Sequence, residues 1–233
     1  MQAHGKKYRN KKDLTETNKS YSLKEAMKLL GEMSFAKFDE SVDMALRLGV
    51  DPKHSDQVVR GACNMPHGTG KKVCVVVFAK GEKATEAEKA GADFVGGDDL
   101  IEKIKGGWMD FDSAIATPDM MGAVSRIGKI IGPKGLMPNP KAGTVTFEIE
   151  KAVKDVKAGR VEFRVDKTGI VHASFGKVSF GFEKLAENLK ALLEMIHRMK
   201  PSGAKGKYFK SLYVSTTMSP SICIDTSEFD QIA

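Results

Sequence analysis

Residues Val73 to Ala79 read VCVVVFA, an unbroken apolar run rich in β-branched side chains. A strand with one wet face alternates apolar and polar residues, so an unbroken run predicts a strand buried on both faces. That is the situation of a parallel sheet with helices above and below it. Parallel strands need long crossovers, and the following segments supply them. Glu82 to Ala90 reads as an Ala/Glu/Lys helix, Ala92 to Val95 as a short strand and Asp98 to Lys105 as a helix. Ser113 to Ala116 reads as a third strand and Asp119 to Ile131 as a further helix, before the Gly- and Pro-rich loop Gly132 to Gly143. The alternation predicts an α/β unit over residues 67–159.

The flanks have a different texture. Ser22 to Met33 reads as a helix capped by Ser22 with Glu25 three residues on, and Gly31 is expected to limit its end. From Phe38 to Leu48 the period becomes two, with Val42, Met44, Leu46 and Leu48 on one face. Val161, Phe163 and Val165 alternate with Glu162 and Arg164, Asp166 to Gly169 forms a turn, and Ile170 to Phe175 returns, so a hairpin with a polar outer face is expected. Phe182, Leu185, Ala186, Leu189, Leu192, Leu193 and Ile196 mark the core face of an amphipathic helix ending before Pro201. Tyr208 to Met218 and Ile222 to Ile224 read as strands. Helix plus antiparallel strands at both ends, with α/β between, leaves open from texture alone whether the ends join into one domain. Neither flank looks large enough to stand by itself.

Several classes of function fall away. The longest apolar run is far shorter than the roughly 20 residues of a membrane span, mean hydropathy is -0.28, and no apolar segment follows the basic amino terminus as a secretory signal requires. A cytoplasmic protein is expected. Cys63, Cys74 and Cys223 form no CxxC pair, which points neither to a disulfide framework nor to zinc. GTGKK (Gly68 to Lys72) fails the phosphate-loop pattern, because Met65 stands where its first glycine belongs and Lys72 where its hydroxyl belongs. One glycine, Gly81, follows the Val73 strand where a dinucleotide fingerprint needs several. His4, His54, His67, His172 and His197 are scattered, and the acidic pairs have no ligand or nucleophile context. No catalytic residue, metal site or cofactor is expected.

Charge points elsewhere. Lys plus Arg number 37 against 30 Asp plus Glu, a net +7, and three tracts hold no acid at all: Met1 to Lys12, Met120 to Phe147 and Met195 to Ile224. Such tracts attract phosphates. The outer face of the expected hairpin adds Glu162, Arg164, His172 and Ser174, with Asp166, Lys167 and Thr168 at its tip, a mixture of donors and acceptors suited to ribose and phosphate.

Longer blocks are more specific: KFDESVDMALRLGVDP (Lys37 to Pro52), MPHGTGK (Met65 to Lys71), GADFVGGDDLIEKIKGGWMDFD (Gly91 to Asp112), ATPDMM (Ala116 to Met121), GPKGLMPNPKAGTV (Gly132 to Val145), GRVEFRVDKTG (Gly159 to Gly169) and STTMSPS (Ser215 to Ser221). Together they resemble the bacterial-type ribosomal protein L1 family of the large subunit, from about His4 to about Asp225. The resemblance implies two domains: a discontinuous RNA-binding α+β domain with a split antiparallel sheet, from residues 1–66 and 160–233, and an inserted Rossmann-like three-layer α/β domain, residues 67–159. It also implies binding of large-subunit rRNA at the base of the mobile stalk, assistance to release of deacylated tRNA from the exit site, repression of the protein's own mRNA, and a monomer when free. Carried over residue by residue, it puts Lys37, Phe38, Ser41, Arg164, Asp166, Lys167, Thr168, His172, Thr217, Met218 and Ser219 at the RNA surface. Alternation disagrees at Phe38, which it would bury in register with Val42. Ser219 departs from the family's usual glycine. The acid-free tract with Arg126, Lys129, Lys134 and Lys141 is expected to face tRNA. The rival expectation is a small-molecule α/β enzyme or binding module using the middle sheet's edge.

Overall fold

A computed structural model describes residues 5–16, 19–227 and 229, without the side chain of Lys141. His4 lies outside the described residues. The described chain packs into two compact units, one within Met1–Gly70 and Val161–Ala233, the other Lys71–Arg160.

The discontinuous unit begins with helices α1 (Lys6–Lys12) and α2 (Leu23–Met33), followed by strands β1 (Ser41–Leu48) and β2 (Arg60–Asn64). Ser22 accepts from the Glu25 amide while Glu25 accepts from the Ser22 amide, so the expected capping box starts α2. The helix ends at Met33, as its sequence reads, two residues past Gly31, where nothing crowds a side chain. β1 buries Val42, Met44, Leu46 and Leu48 as alternation predicts.

The Lys71–Arg160 unit holds β3 (Val75–Phe78), α3 (Glu82–Lys89), β4 (Phe94–Gly96), α4 (Asp98–Lys105), β5 (Ser113–Ala116), the short turns α5 (Met121–Val124) and α6 (Gly128–Ile131), and α7 (Ile149–Gly159). Its sheet is parallel in the order β4-β3-β5. Val76 and Phe78 pack with Leu100, Ile101 and Ile104 of α4, while Val75 and Val77 pack with Ile149, Val153 and Val156 of α7. Both faces of β3 are therefore dry, which is why its sequence does not alternate. The single helix expected over Asp119 to Ile131 is instead a chain of α and 3-10 turns. Gly122 and Gly128 weaken it, and the Ser125 hydroxyl donates back to the Met121 carbonyl at 2.7 Å.

From the last residue of this unit onward follow β6 (Arg160–Arg164), β7 (Ile170–Lys177), α8 (Phe182–Arg198), β8 (Phe209–Thr216) and β9 (Ile222–Ile224). β7-β1-β8-β9 form an antiparallel sheet, and β2 pairs with β6 in a separate ribbon. The hairpin expected of β6 and β7 is thus a corner: the two strands join different sheets and share one bridge, Val165 to Val171. β7 gives its edge to β1 from Ile170 to Lys177, leaving β6 to pair elsewhere. α2 and α8 bury one face of the four-stranded sheet through Met27, Leu30, Leu189, Leu193 and Ile196. Phe182, expected in that stripe, is exposed at the first position of α8. Asn188, further along the same helix, is fully buried, donating to the carbonyls of Gly68 and Phe175 and accepting from the His67 amide.

Candidate nucleic-acid interface

Ser34 ends α2 in extended backbone, and Phe35 to Glu40 lead into β1 as a loop. Such a loop has amides no ladder satisfies. Glu40 satisfies them from inside. Its carboxylate is fully buried, with Oε1 accepting from the Ser34 hydroxyl at 3.0 Å and from the amides of Phe35 and Ala36 at 3.1 and 2.8 Å. Oε2 accepts from the Thr216 hydroxyl at 2.5 Å and the Met218 amide at 3.1 Å. Burial, the largest single influence, opposes ionisation, but the bonds from Thr216, Ala36, Met218 and Ser34 outweigh it and hold the carboxyl below the ordinary glutamate range.

Around this group the carried-over residues converge. The Ser41 amide donates to the Thr217 hydroxyl at 3.0 Å, which lies 3.4 Å from the Ser41 carbonyl. Lys177 donates to the Ser41 hydroxyl and the Asp39 carbonyl, and Ser179 donates twice to the Asp39 carboxylate. Lys37 is exposed, and Phe38 and Met218 stand 57% and 49% exposed. Alternation fails at Phe38 because β1 begins only at Ser41, so Phe38 lies in a bend with no pleat to turn it inward. The Ser219 hydroxyl folds onto its own loop, accepting from the Thr216 amide at 2.9 Å and donating to the Pro220 carbonyl at 3.0 Å.

A second cluster lies at the far end of the same strands, about 20 Å away by strand rise. The Asp166 carboxylate accepts from the amides of Thr168 and Ile170 and from the Thr168 hydroxyl, closing the turn. The Ile170 amide, then Thr168 and the nearby His172, hold that carboxyl below the ordinary aspartate range. Gly169 closes the turn at φ +81, where a side chain would also approach the Val50 carbonyl at 3.3 Å. Lys167 and Thr168 are left exposed at the tip. Arg164 precedes and His172 follows the bridged pair Val165 and Val171, and both are exposed. His172 pairs with Ala45 and Ser174 with Asp43, so hydroxyl and imidazole groups line the strand between the clusters.

The remaining candidates belong to the other unit. Arg126, Lys129 and Lys134 are exposed there, and the side chain of Lys141 lies outside what the structure describes. Among the described residues no group of three or more His, Cys, Asp or Glu could hold a metal ion, and no helix is long and apolar enough to cross a membrane. Glu40 itself was missed by the sequence reading. The signal was present, since it shares the parity of Val42 and Met44, and the Val178 amide still donates to its carbonyl, so the pleat extends one residue before β1 to Glu40 though not to Phe38.

The sequence pattern of the Ribosomal protein L1p/L10e family matches residues 30–220. The chain belongs to this family. Large ribosomal subunit protein uL1 of Maridesulfovibrio salexigens is 59% identical over 225 residues, covering 97% of this chain and 96% of that protein. The uL1 proteins of Syntrophobacter fumaroxidans and Solidesulfovibrio magneticus are 57% and 59% identical over 225 and 227 residues, with the same coverage. The mixed α/β architecture accords with the L1 fold. The family match takes in all of the interface candidates of this L1-family chain, from Lys37 to Ser219.

Proposed function

We propose that this L1-family chain is a cytoplasmic, non-enzymatic protein of the large ribosomal subunit that binds large-subunit rRNA through its discontinuous unit. The observation that carries this reading is the strip along β1 and β7, with exposed Phe38 and Met218 beside Lys37, Ser41 and Thr217 at one end and Arg164, Lys167, Thr168 and His172 at the other. Hydroxyls with flat backbone suit ribose, exposed apolar side chains suit sugars and unstacked bases, and the cations suit phosphates. In this reading Asp166 and Ser219 work indirectly, each by shaping the loop that meets the RNA.

The site is the base of the mobile stalk. The discontinuous unit is the RNA-binding α+β domain and the Lys71–Arg160 unit a Rossmann-like insertion. The acid-free tract of the insertion that holds Arg126, Lys129, Lys134 and Lys141 serves exit-site tRNA and assists its release when deacylated. The same strip binds the protein's own mRNA and represses its translation, and the free protein is a monomer. The small-molecule rival finds little support in the insertion. Asp98 stands in the first turn of α4, where a doubly wound sheet would receive a phosphate, and its carboxylate already binds Lys80 at 2.7 Å.

Filter binding of the purified chain to deproteinised large-subunit rRNA tests the reading. Saturable binding that exceeds binding to small-subunit rRNA is expected, weakening with salt by several powers. Equal retention of both RNAs would overturn it.

A further inference from the structure

Two loops of this interface lie far apart in the chain and meet on one buried carboxylate. Ser34, Phe35 and Ala36 bind Oε1 of Glu40, while Thr216 and Met218 bind Oε2. We propose that Glu40 is the positioning residue of the RNA surface, clamping the loop that carries Lys37 and Phe38 to the loop that carries Thr217 and Met218 so that the two present one face. The proposal rests on the RNA-binding reading above.

Donor arithmetic explains why the position holds a carboxylate. All five groups aimed at it donate, and three of them are backbone amides that have no other role. A glutamine side chain offers one accepting oxygen and one NH2. Whichever way the amide turns, its NH2 meets at least one backbone N–H head-on, Met218 on one side or Phe35 and Ala36 on the other. One loop or the other is then released. Among the described residues no cation forms an ion pair with Glu40, so five neutral donors alone hold the charge. The clamp is also independent of the salt that screens surface contacts, because it is dry. Thr217 adds a second tie through Ser41, but it joins the end of the loop to the first residue of β1 and leaves Phe35 and Ala36 untouched.

The test compares Glu40→Gln with the full-length parent, at a temperature where circular dichroism shows both folded. Affinity for deproteinised large-subunit rRNA should fall about tenfold or more, in keeping with buried donors left unpaired. The slope of log affinity against log salt should stay that of the parent, since no cation facing RNA is removed. In the free protein, hydrogen exchange at the amides of Phe35 and Ala36 or of Met218 should quicken, while the amides of β3 and β5 keep their rates. A merely structural role would lower stability without altering exchange locally in these loops. Thr216→Val, which removes one hydroxyl donor and suits a strand, should weaken RNA binding in the same direction by about threefold and carries the test if the glutamine variant does not fold.

A folded Glu40→Gln chain that has lost amide protection yet binds RNA within twofold of the parent overturns the proposal. So does one in which all three amides stay protected, because the loops would then hold each other without the carboxylate. If the parent fails to bind this RNA, the RNA reading falls and the proposal with it, and the exchange rates still say whether the clamp exists.

Discussion

At the residue scale, the groups that sequence blocks assign to RNA divide by what else they touch. The Thr217 hydroxyl accepts from the Ser41 amide and retains a lone pair, so it both fixes its loop and offers one contact outward. Thr217→Val should weaken rRNA binding about five- to a hundredfold with an unchanged salt slope, in line with the roughly 1–3 kcal/mol of a buried polar group left unpaired. Lys167→Ala should lower that slope by about one unit if, as the proposed reading has it, this exposed cation at a turn tip meets phosphate. One salt titration on the two variants separates the effects; identical slope changes would refute the division. Ser219→Gly should change affinity by less than about 1 kcal/mol, since the hydroxyl faces its own loop. Glu40 adds a pH signature. A carboxyl held below its ordinary range stabilises the fold at and above the unfolded glutamate value, about pH 4.3, and this contribution is lost as pH falls through the lower folded value. The gap between the thermal midpoints of parent and Glu40→Gln should therefore be constant from pH 7 down to about 4.3 and narrow as the pH is lowered further. Of these residues, Lys37 and Thr217 are legible through their blocks. Glu40 is legible only once strand parity is trusted over polarity, because a carboxylate in an apolar register looks like an error until its donors are seen.

At the scale of elements, legibility followed the environment of each segment. β3, α4 and β5 were readable because burial on both faces, or on one clean stripe, writes a period into the sequence. The turns between Pro118 and Ile131 were not, since apolar residues at helical spacing say nothing about Gly122, Gly128 and a back-bonding Ser125 interrupting the ladder. α7 is marked only by the helical spacing of Ile149, Ala152, Val153 and Val156, and β2 is hard to read because Gly61, Ala62 and Cys63 are too small to mark a face. The sequence of β6 and β7 reads as a hairpin because a good turn joins them, yet pairing is decided by which edge is free. Asn188 shows the reverse case. It breaks the apolar stripe of α8 at a fully buried position, tying the helix to Phe175 of β7 and to His67 and Gly68. Asn188→Leu should leave three backbone groups unpaired and lower stability by about 1–3 kcal/mol, seen as a reduced denaturant midpoint at constant m. An unchanged midpoint would mean that those groups find other partners.

For the whole molecule, the division into two units predicts separable functions. Joining residue 70 to residue 161 through a short linker should leave rRNA affinity within about tenfold, near 1.4 kcal/mol, if the discontinuous unit carries the interface; total loss of binding by a folded product would contradict this. Reversing the charges of Lys129 and Lys134 should slow departure of deacylated tRNA from ribosomes that carry the variant and leave rRNA affinity unaltered. An unaltered departure rate would return those lysines to ordinary solvent-facing duty. The sheet order β7-β1-β8-β9 also bears on how such a chain is born. Ser41 and its ladder partner Lys177 are 136 positions apart, whereas the parallel sheet of the other unit is complete once β5 has been made. During vectorial synthesis β1 leaves the tunnel early and waits, both edges bare, while the later-encoded insertion finishes first. The interval is a window for aggregation, set by translation speed and not by final stability.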